Sequence, residues 1–153
     1  MEPAPYCICT DITERALEAA MEHAEAFARG VYRDTHPWLV AAELLERCIA
    51  AGQLLPLVFA SGHPMEFTHW ALITDIDVQE FHHETRCEFT GLTAVNPIFS
   101  SLDSIALYPG AEQLHREAVE PVTIHRHYLD EHLIHPYAIA ETPAFVRAAG
   151  NFS

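Results

Sequence analysis

Two histidines and a glutamate near the end of the chain have the spacing of a metal site. One residue separates His125 from His127, and Glu131 follows four residues after the second histidine. Side chains two residues apart in a β-strand project to the same side, so both imidazoles would face one point. Imidazole and carboxylate groups are common ligands of divalent transition metals. These three residues therefore predict a divalent metal site, and with it a metal-dependent enzyme.

The alternative is that these histidines lie on the surface or pack without binding a metal. The chain contains 11 histidines, so a His-x-His pair arises readily by chance. The string from 125 to 131 is similar to the first metal motif of the cupins, but the glycine that precedes the first histidine of that motif is absent. The second cupin motif should follow, yet only a short tail remains. We therefore predict no cofactor, and the metal site is the lesser hypothesis.

Aromatic residues near the predicted strand ends offer a second kind of chemistry, the stacking of a planar ligand. They are Phe59, Phe67, Trp70, Tyr108 and Tyr137. An aromatic ring at the rim of a sheet can stack on a flat ligand while a polar neighbour supplies a hydrogen bond. Trp70 stands out because His69 precedes it in mid-strand. The competing interpretation, for most of these rings, is that they pack in the core.

The sequence contains only weak signals for other catalytic arrangements. Ser61 precedes Gly62 and His63, but no Gly-x-Ser-x-Gly motif surrounds it. The four cysteines show no Cys-x-x-Cys spacing, which is typical of reduced, packed thiols. Because the chain has no lysine, Schiff-base chemistry and a P-loop lysine are excluded. We assign no catalytic residue on this basis, and an enzyme is not the preferred hypothesis.

The chain is strongly acidic, with a formal net charge of −14 over 153 residues. Such a charge repels nucleic-acid phosphates and anionic membranes and attracts basic partners. A long nucleic acid is therefore disfavoured, and an inhibitor or immunity-type protein that binds a basic partner becomes an alternative. The simpler alternative is that the acidic residues only keep the protein soluble. No apolar run approaches the roughly 20 residues of a membrane helix, and the N-terminus is not a signal peptide, so we expect a cytoplasmic protein without a membrane partner.

The elements that would position these residues begin with two helices. The stretch 11–14 has the form of a capping box, and helical periodicity continues towards a stop at Gly30. A second helix begins around Pro37 and ends at Gly52. The short connection predicts an antiparallel helical pair over about residues 11–52. Residues 1–10 contain two prolines and are expected to run extended along the surface.

After Gly52 the periodicity changes to that of strands. The stretch from Gln53 to Ile76 predicts the spine of the sheet, with Pro56 at an edge or bulge. Its parts are a strand at Leu54–Ala60, a turn at Ser61–Pro64 and a strand at Phe67–Ile76. Later predicted elements are strands at Arg86–Thr90, Ser104–Tyr108 and Val122–Tyr128, a short helix at Ala111–Ala118 and an irregular tail from Ile134. The prediction is one α+β domain over 1–153, with two N-terminal helices packed on a small mixed, curled or barrel-like sheet.

Residues 57–61 followed by 67–76 resemble the central part of PUA-like domains, the superfamily of the EVE and ASCH domains. The resemblance covers about residues 53–108. It implies a small curled sheet with a pocket for a base or modified nucleotide, and it would place Ser61 and Trp70 at that pocket. Typical EVE domains have an aromatic-rich, lysine-bearing N-terminal strand where this chain has predicted helices. The lysine of ASCH-type hydrolases is also absent, so their activity is not implied.

We therefore predict a binding module for a small planar ligand such as a base or nucleoside. Its predicted ligand-binding residues are Ser61, His69, Trp70 and Tyr137. The first alternative is an acidic inhibitor or immunity-type protein with a basic partner. The second is a metal-dependent enzyme that uses His125, His127 and Glu131.

Overall fold

The computed structural model of this chain describes residues 2–27, 29–108 and 128–147. In this part of the chain, seven β-strands form one open mixed sheet and three α-helices accompany it. The strands are β1 (Glu2–Pro3), β2 (Tyr6–Asp11), β3 (Arg29–Asp34), β4 (Gln53–Ser61), β5 (Glu66–Gln79), β6 (Glu84–Ala94) and β7 (Ala138–Glu141). The helices are α1 (Glu14–Phe27), α2 (Leu39–Ala51) and α3 (Ala144–Arg147). The predicted α+β class with a mixed sheet is confirmed.

The predicted spine is confirmed as the centre of the sheet. The strand order is β3-β6-β5-β4-β2-β7, and β1 also pairs with β4. All of β4 from Leu55 to Ser61 is buried, as a nearly continuous apolar strand requires. Pro56 does not mark an edge of the sheet. It falls between the parallel pairing of Leu54 with β1 and that of Leu57 with β2, where no amide proton is needed.

The prediction for the first ten residues was wrong. β2 is an interior strand between β4 and β7, and Cys7, Ile8, Cys9 and Thr10 are fully buried. The prolines that suggested a surface segment lie before β2. The predicted capping box was also wrong, because Asp11 ends β2 and the hydroxyl of Thr13 accepts a hydrogen bond from the amide of Ala16 at 3.1 Å.

The expected antiparallel pair of helices is not confirmed, because strand β3 lies between α1 and α2. Gly30, the predicted helix stop, belongs to β3, and the ring of Phe89 lies where a β-carbon at Gly30 would be. Position 30 is therefore a glycine because the ring of Phe89 approaches the backbone closely there, and not because a helix ends there. Gly52 does end α2, in the left-handed conformation with φ of 68°.

Two hydrophobic clusters lie on opposite sides of the sheet. The helix-side cluster contains residues of α1 and α2 together with Ile8, Leu57 and Phe89. The tail-side cluster contains residues from the last part of the chain together with Cys9 and Val58. Successive residues of β2 and β4 alternate between the two clusters, so both faces of the central strands are covered.

A bulge changes which residues of β5 share a face. Phe59 pairs with His69 and Ala60 pairs with Phe67, so Thr68 is an extra residue in the ladder. As a result, Phe67 and Trp70 both lie in the tail-side cluster, although simple alternation puts them on opposite faces. The sequence alone gives no sign of the inserted residue.

The sheet curves around the helix-side cluster. β3 and β2 stand four places apart in the strand order, yet the hydroxyl of Tyr32 in β3 donates to the backbone oxygen of Asp11 in β2 at 2.9 Å. The ring of Tyr32 also lies 5.6 Å from that of Phe59 in β4. Within the described residues no ladder closes the sheet, so side chains alone join β3 to β2. We call this line of contact the seam.

The described residues from 134 to 147 are more regular than the predicted irregular tail. β7 pairs antiparallel with β2, and α3 follows it. The stretch predicted as a strand at Ser104–Tyr108 forms only isolated bridges, from Ala106 to Tyr128 and from Leu107 to Ala140. The predicted helix at Ala111–Ala118 lies outside the described residues, as does the predicted strand at Val122–Tyr128 apart from its last residue.

Candidate functional site

The four predicted ligand-binding residues do not meet in one place. Trp70 is only 5% exposed and belongs to the tail-side cluster, whereas Tyr137 packs against the helix-side cluster. Ser61 is buried at the end of β4. His69 is half-buried in β5; burial lowers its pKa, and its Nδ1 atom has no hydrogen-bond partner among the described residues. The sheet itself separates Trp70 from Tyr137.

The other predicted aromatic residues are mostly core residues. Phe59 and Phe67 are buried in opposite clusters. Tyr108 contacts Tyr6 edge to face, with ring centroids 5.3 Å apart. For these rings, the packing interpretation accounts for what is observed.

The predicted metal ligands can be placed only in part. His125 and His127 lie outside the described residues. Glu131 is exposed, and its Oε1 atom accepts a hydrogen bond from the amide of Met65 at 3.0 Å. Among the residues that the structure describes, no group of three or more histidines, cysteines or acidic residues is arranged to hold a metal ion. The metal site stays a prediction.

A close group of four ionisable side chains in the described residues lies at the seam. The Nδ1 atom of His135 donates to Oδ1 of Asp11 at 2.9 Å, and the Nδ1 atom of His36 donates to Oδ1 of Asp34 at 3.2 Å. The two imidazole rings meet edge to face with centroids 5.0 Å apart. These four residues form the seam cluster. It contains two carboxylate–imidazole pairs in direct contact.

Among the four residues of the seam cluster, Asp34 accepts the most hydrogen bonds. It ends β3 and is 9% exposed. The indole Nε1 of Trp38 donates to its Oδ2 at 2.7 Å, and the amide of Thr35 donates to its Oδ1 at 2.8 Å. A buried carboxylate needs such donors to offset the loss of water. The loop after β3 therefore folds back around its own last residue.

Thr85 fixes this loop to the sheet. Its buried hydroxyl accepts a hydrogen bond from the amide of Trp38 at 2.9 Å and donates to the backbone oxygen of His36 at 2.6 Å. Thr85 pairs with Asp34 in the β3–β6 ladder, so the loop is tied to the strand beside its own. His36 is held at its backbone and through its ring.

The second pair is held by the strand on the other side of the seam. The hydroxyl of Thr10 donates to the backbone oxygen of Pro136 at 2.8 Å, which ties the segment around His135 to β2. Asp11 is the next residue of β2 and therefore lies beside this segment. Strands β2 and β3 thus each supply one carboxylate, and the segments held beside them supply the two imidazoles.

Aromatic rings lie beside the seam cluster. The fully buried ring of Trp38 lies 4.9 Å from that of Tyr137 and 5.7 Å from that of Tyr32. Both tyrosines are half-buried. Burial raises the pKa of Tyr32 to about 12, so its phenol stays neutral and acts as a donor. Flat aromatic rings therefore lie on one side of the cluster, and ionisable groups lie on the other.

The electrostatics of the cluster favour the protonated form of His135. The hydrogen bond to Asp11 raises the pKa of this imidazole, partial burial opposes the rise, and the charges of Asp11 and Asp34 add to it. A carboxylate that accepts from Nδ1 fixes the tautomer of the ring and increases its basicity. Such a pair can accept, donate or hold a proton for a bound molecule.

Sequence reasoning placed Asp11 in a capping box and assigned His36 to packing and capping at the start of the second helix, and it paired neither of them with Asp34 or His135. The Asp34-x-His36 spacing was available as a signal, because alternate residues of an extended segment share a side. The partnership of Asp11 with His135 was not available, because 124 positions separate them. Only the curvature of the sheet brings the two pairs together.

No protein family, curated protein or solved structure matches this chain. Among the described residues, no helix has the length and apolar character to cross a membrane. The geometry of the seam cluster is thus the main guide to function.

Proposed function

We propose that this chain is a small-ligand binding module of PUA-like form that holds a planar base or nucleoside at the seam cluster. One observation carries the proposal: two imidazoles, each held by a carboxylate, meet beside the rings of Trp38 and Tyr137. The curved sheet and the agreement of β4 and β5 with the stretch that resembles PUA-like domains support the proposed form.

The exposure of the seam cluster suits a ligand that binds from solvent. The side chains of His36 and His135 are 44% and 54% exposed, whereas their carboxylate partners are 8% and 29% exposed. The carboxylates therefore lie behind the imidazoles, which are the groups that a ligand would meet first. Tyr137 is the one residue of the four predicted ligand-binding residues that lies at this place.

The hydrogen bonds of the seam cluster support one kind of ligand chemistry. Because each Nδ1 atom donates to a carboxylate, a neutral imidazole keeps its Nε2 atom as an acceptor. A flat heterocycle with amino N–H groups, such as adenine or cytosine, matches a pair of acceptors of this kind. Its ring can lie against the half-buried faces of Tyr32 and Tyr137. The charge of −14 favours a base or nucleoside over a long polynucleotide.

Tryptophan fluorescence tests this proposal. The chain has two tryptophans, so Trp70→Phe leaves Trp38, the residue beside the seam cluster, as the reporter. Adenosine and cytidine are expected to change its emission at millimolar concentration or below, and uridine to change it less. The double variant His36→Ala with His135→Ala should lose the response, whereas the control His132→Ala, an exposed histidine outside the cluster, should keep it. A silent Trp38 across a full panel of bases and nucleosides would contradict the proposal.

A second candidate is an acidic interaction protein that binds a basic partner, and one observation favours it. Phe81, at the tip between β5 and β6, is 98% exposed, and Asp75 and Asp77 on β5 are exposed as well. Exposed aromatic rings and exposed charges are both features of interaction surfaces. A basic protein should then co-purify at low salt and be lost on Phe81→Ser, whereas Ile98→Ser, at another exposed apolar residue, should retain it.

A further inference from the structure

A groove of about 600 Å³ lies between α1 and the strands β3 and β6. Its lining includes none of the four residues of the seam cluster. Ala16 and Ala19 of α1 contribute small apolar side chains, and Val31 contributes another from β3. The groove therefore has an apolar floor on which part of a small molecule can lie.

The rim of this groove is basic in a chain that is otherwise strongly acidic. The chain has eight basic residues against 22 acidic ones, and three of the eight, Arg29, Arg33 and Arg86, line this one groove. Glu88 is the acidic residue among the lining residues, and it pairs with Arg86 at 3.1 Å. With histidine neutral, the lining has a formal charge of +2, which is three arginines less one glutamate.

The register of the strands places two of these arginines face to face. Arg33 is directly opposite Arg86 in the antiparallel β3–β6 ladder, and Val31 is opposite Glu88. Like charges in directly opposite positions destabilise a sheet, so this pairing has a cost when the groove is empty. Within the described part of the chain, neither Arg29 nor Arg33 forms an ion pair.

We propose that this arginine groove binds a small phosphomonoester with an apolar or aromatic body. A phosphomonoester carries close to two negative charges at neutral pH, which matches the formal charge of the lining. Guanidinium groups match phosphate oxygens in geometry and hold them with paired hydrogen bonds. The apolar floor accounts for the organic part of the ligand. The inference does not depend on the ligand proposed for the seam cluster.

Calorimetric titration at low ionic strength with phenyl phosphate, phenol and inorganic phosphate tests the proposal. Phenyl phosphate is expected to bind, phenol not to bind, and inorganic phosphate to bind more weakly because it lacks the ring. Added salt should weaken the binding of phenyl phosphate. Failure of the wild-type chain to bind phenyl phosphate at low salt would overturn the proposal.

Variants show whether binding belongs to this groove. Arg33→Gln is expected to weaken phenyl phosphate binding about tenfold, the usual effect of losing one charge-assisted hydrogen bond. Arg47→Gln removes the same charge from the exposed surface of α2 and should leave binding nearly unchanged. Equal weakening in both variants would mean diffuse charge attraction and would overturn the proposal.

A variant that keeps every charge provides an independent measurement. Ala19 is exposed in α1 and lines the groove, so Ala19→Met should fill the floor without disturbing the core. It should abolish the preference for phenyl phosphate over inorganic phosphate. Retention of the full preference would show that the ring of the ligand binds elsewhere and would count against the groove.

Discussion

The seam cluster and the arginine groove both contain several charged side chains, but the two regions differ in whether groups of the protein compensate those charges. Asp34 accepts hydrogen bonds from Trp38, Thr35 and His36, so donors inside the protein compensate its negative charge. Arg33 faces Arg86 across a strand pair and has no anionic partner within the described residues. In the seam cluster, the protein itself compensates the carboxylate charges and leaves the imidazole Nε2 atoms for a ligand, whereas in the groove the arginine charges themselves are available to a ligand.

The strongest test of this difference is the removal of Asp34. Asp34→Ala leaves the indole N–H of Trp38 buried without its acceptor and frees the loop after β3. We expect a loss of about 3 kcal/mol in the free energy of unfolding, measured by urea denaturation. Asp75→Ala, at an exposed carboxylate of β5, should change it by less than about 0.5 kcal/mol. Similar losses in the two variants would show that Asp34 is not held as described.

A second test targets the residue that fixes the loop. Thr85→Val keeps the shape of the side chain but leaves the amide of Trp38 and the oxygen of His36 unpaired. We expect destabilisation of about 2 kcal/mol. Thr93→Val in the same strand removes a hydroxyl that bonds the oxygen of Gly91 at an exposed position, and it should cost little. If the two threonine variants unfold alike, the bonds of Thr85 contribute nothing to stability.

The pH dependence of stability tests the His135–Asp11 pair. The folded protein binds the His135 proton more tightly than the unfolded chain does, because the pKa of His135 is raised from 6.5. The stabilisation by this pair is therefore complete below 6.5 and is lost as the pH rises through the folded-state pKa. His135→Gln should thus destabilise more near pH 5.5 than near pH 8.5, by less than about 1 kcal/mol because solvent screens the pair. The opposite trend, measured by denaturation at both pH values, would refute the assignment.

The smallest expected effect on the free energy of unfolding is a slight stabilisation, and it comes from a variant of the arginine groove. Arg33→Gln removes one of two like charges that face each other, so the unliganded protein should be unchanged or more stable by up to about 0.5 kcal/mol at low salt. Thermal unfolding against the matched variant Arg47→Gln provides the measurement. A marked loss of stability in Arg33→Gln would mean that Arg33 has a structural partner, and the contrast between the two regions would fail.

The parts of the fold that the sequence predicts are those with a strong local signal. The apolar run of β4, the turn near Gly62 and the end of α2 at Gly52 were all predicted from propensity and spacing alone. β2 and β3 were not, because each is a six-residue strand whose neighbours in the sheet lie far away in sequence. Their pairing, and not their composition, makes them strands.

The candidate site was less predictable than the fold. Trp70 was singled out for a polar neighbour, but it pairs with Val58 of β4 and lies with that residue in the buried tail-side cluster. Tyr137 was singled out and does lie at the seam. The meeting of the two imidazole–carboxylate pairs depends on how far the sheet curves, a quantity set by packing across the whole domain and not by any short stretch.

Strand β3 serves both regions, and its length is constrained for that reason. Gly30 and Asp34 face the helix-side cluster and the seam, whereas Arg29 and Arg33 line the groove from the alternate positions. Insertion or deletion of a single residue in this strand would exchange the two sets, burying arginines and exposing the aspartate. Evolution can therefore change the side chains of β3 one at a time, but it can change the length of the strand only in steps of two residues.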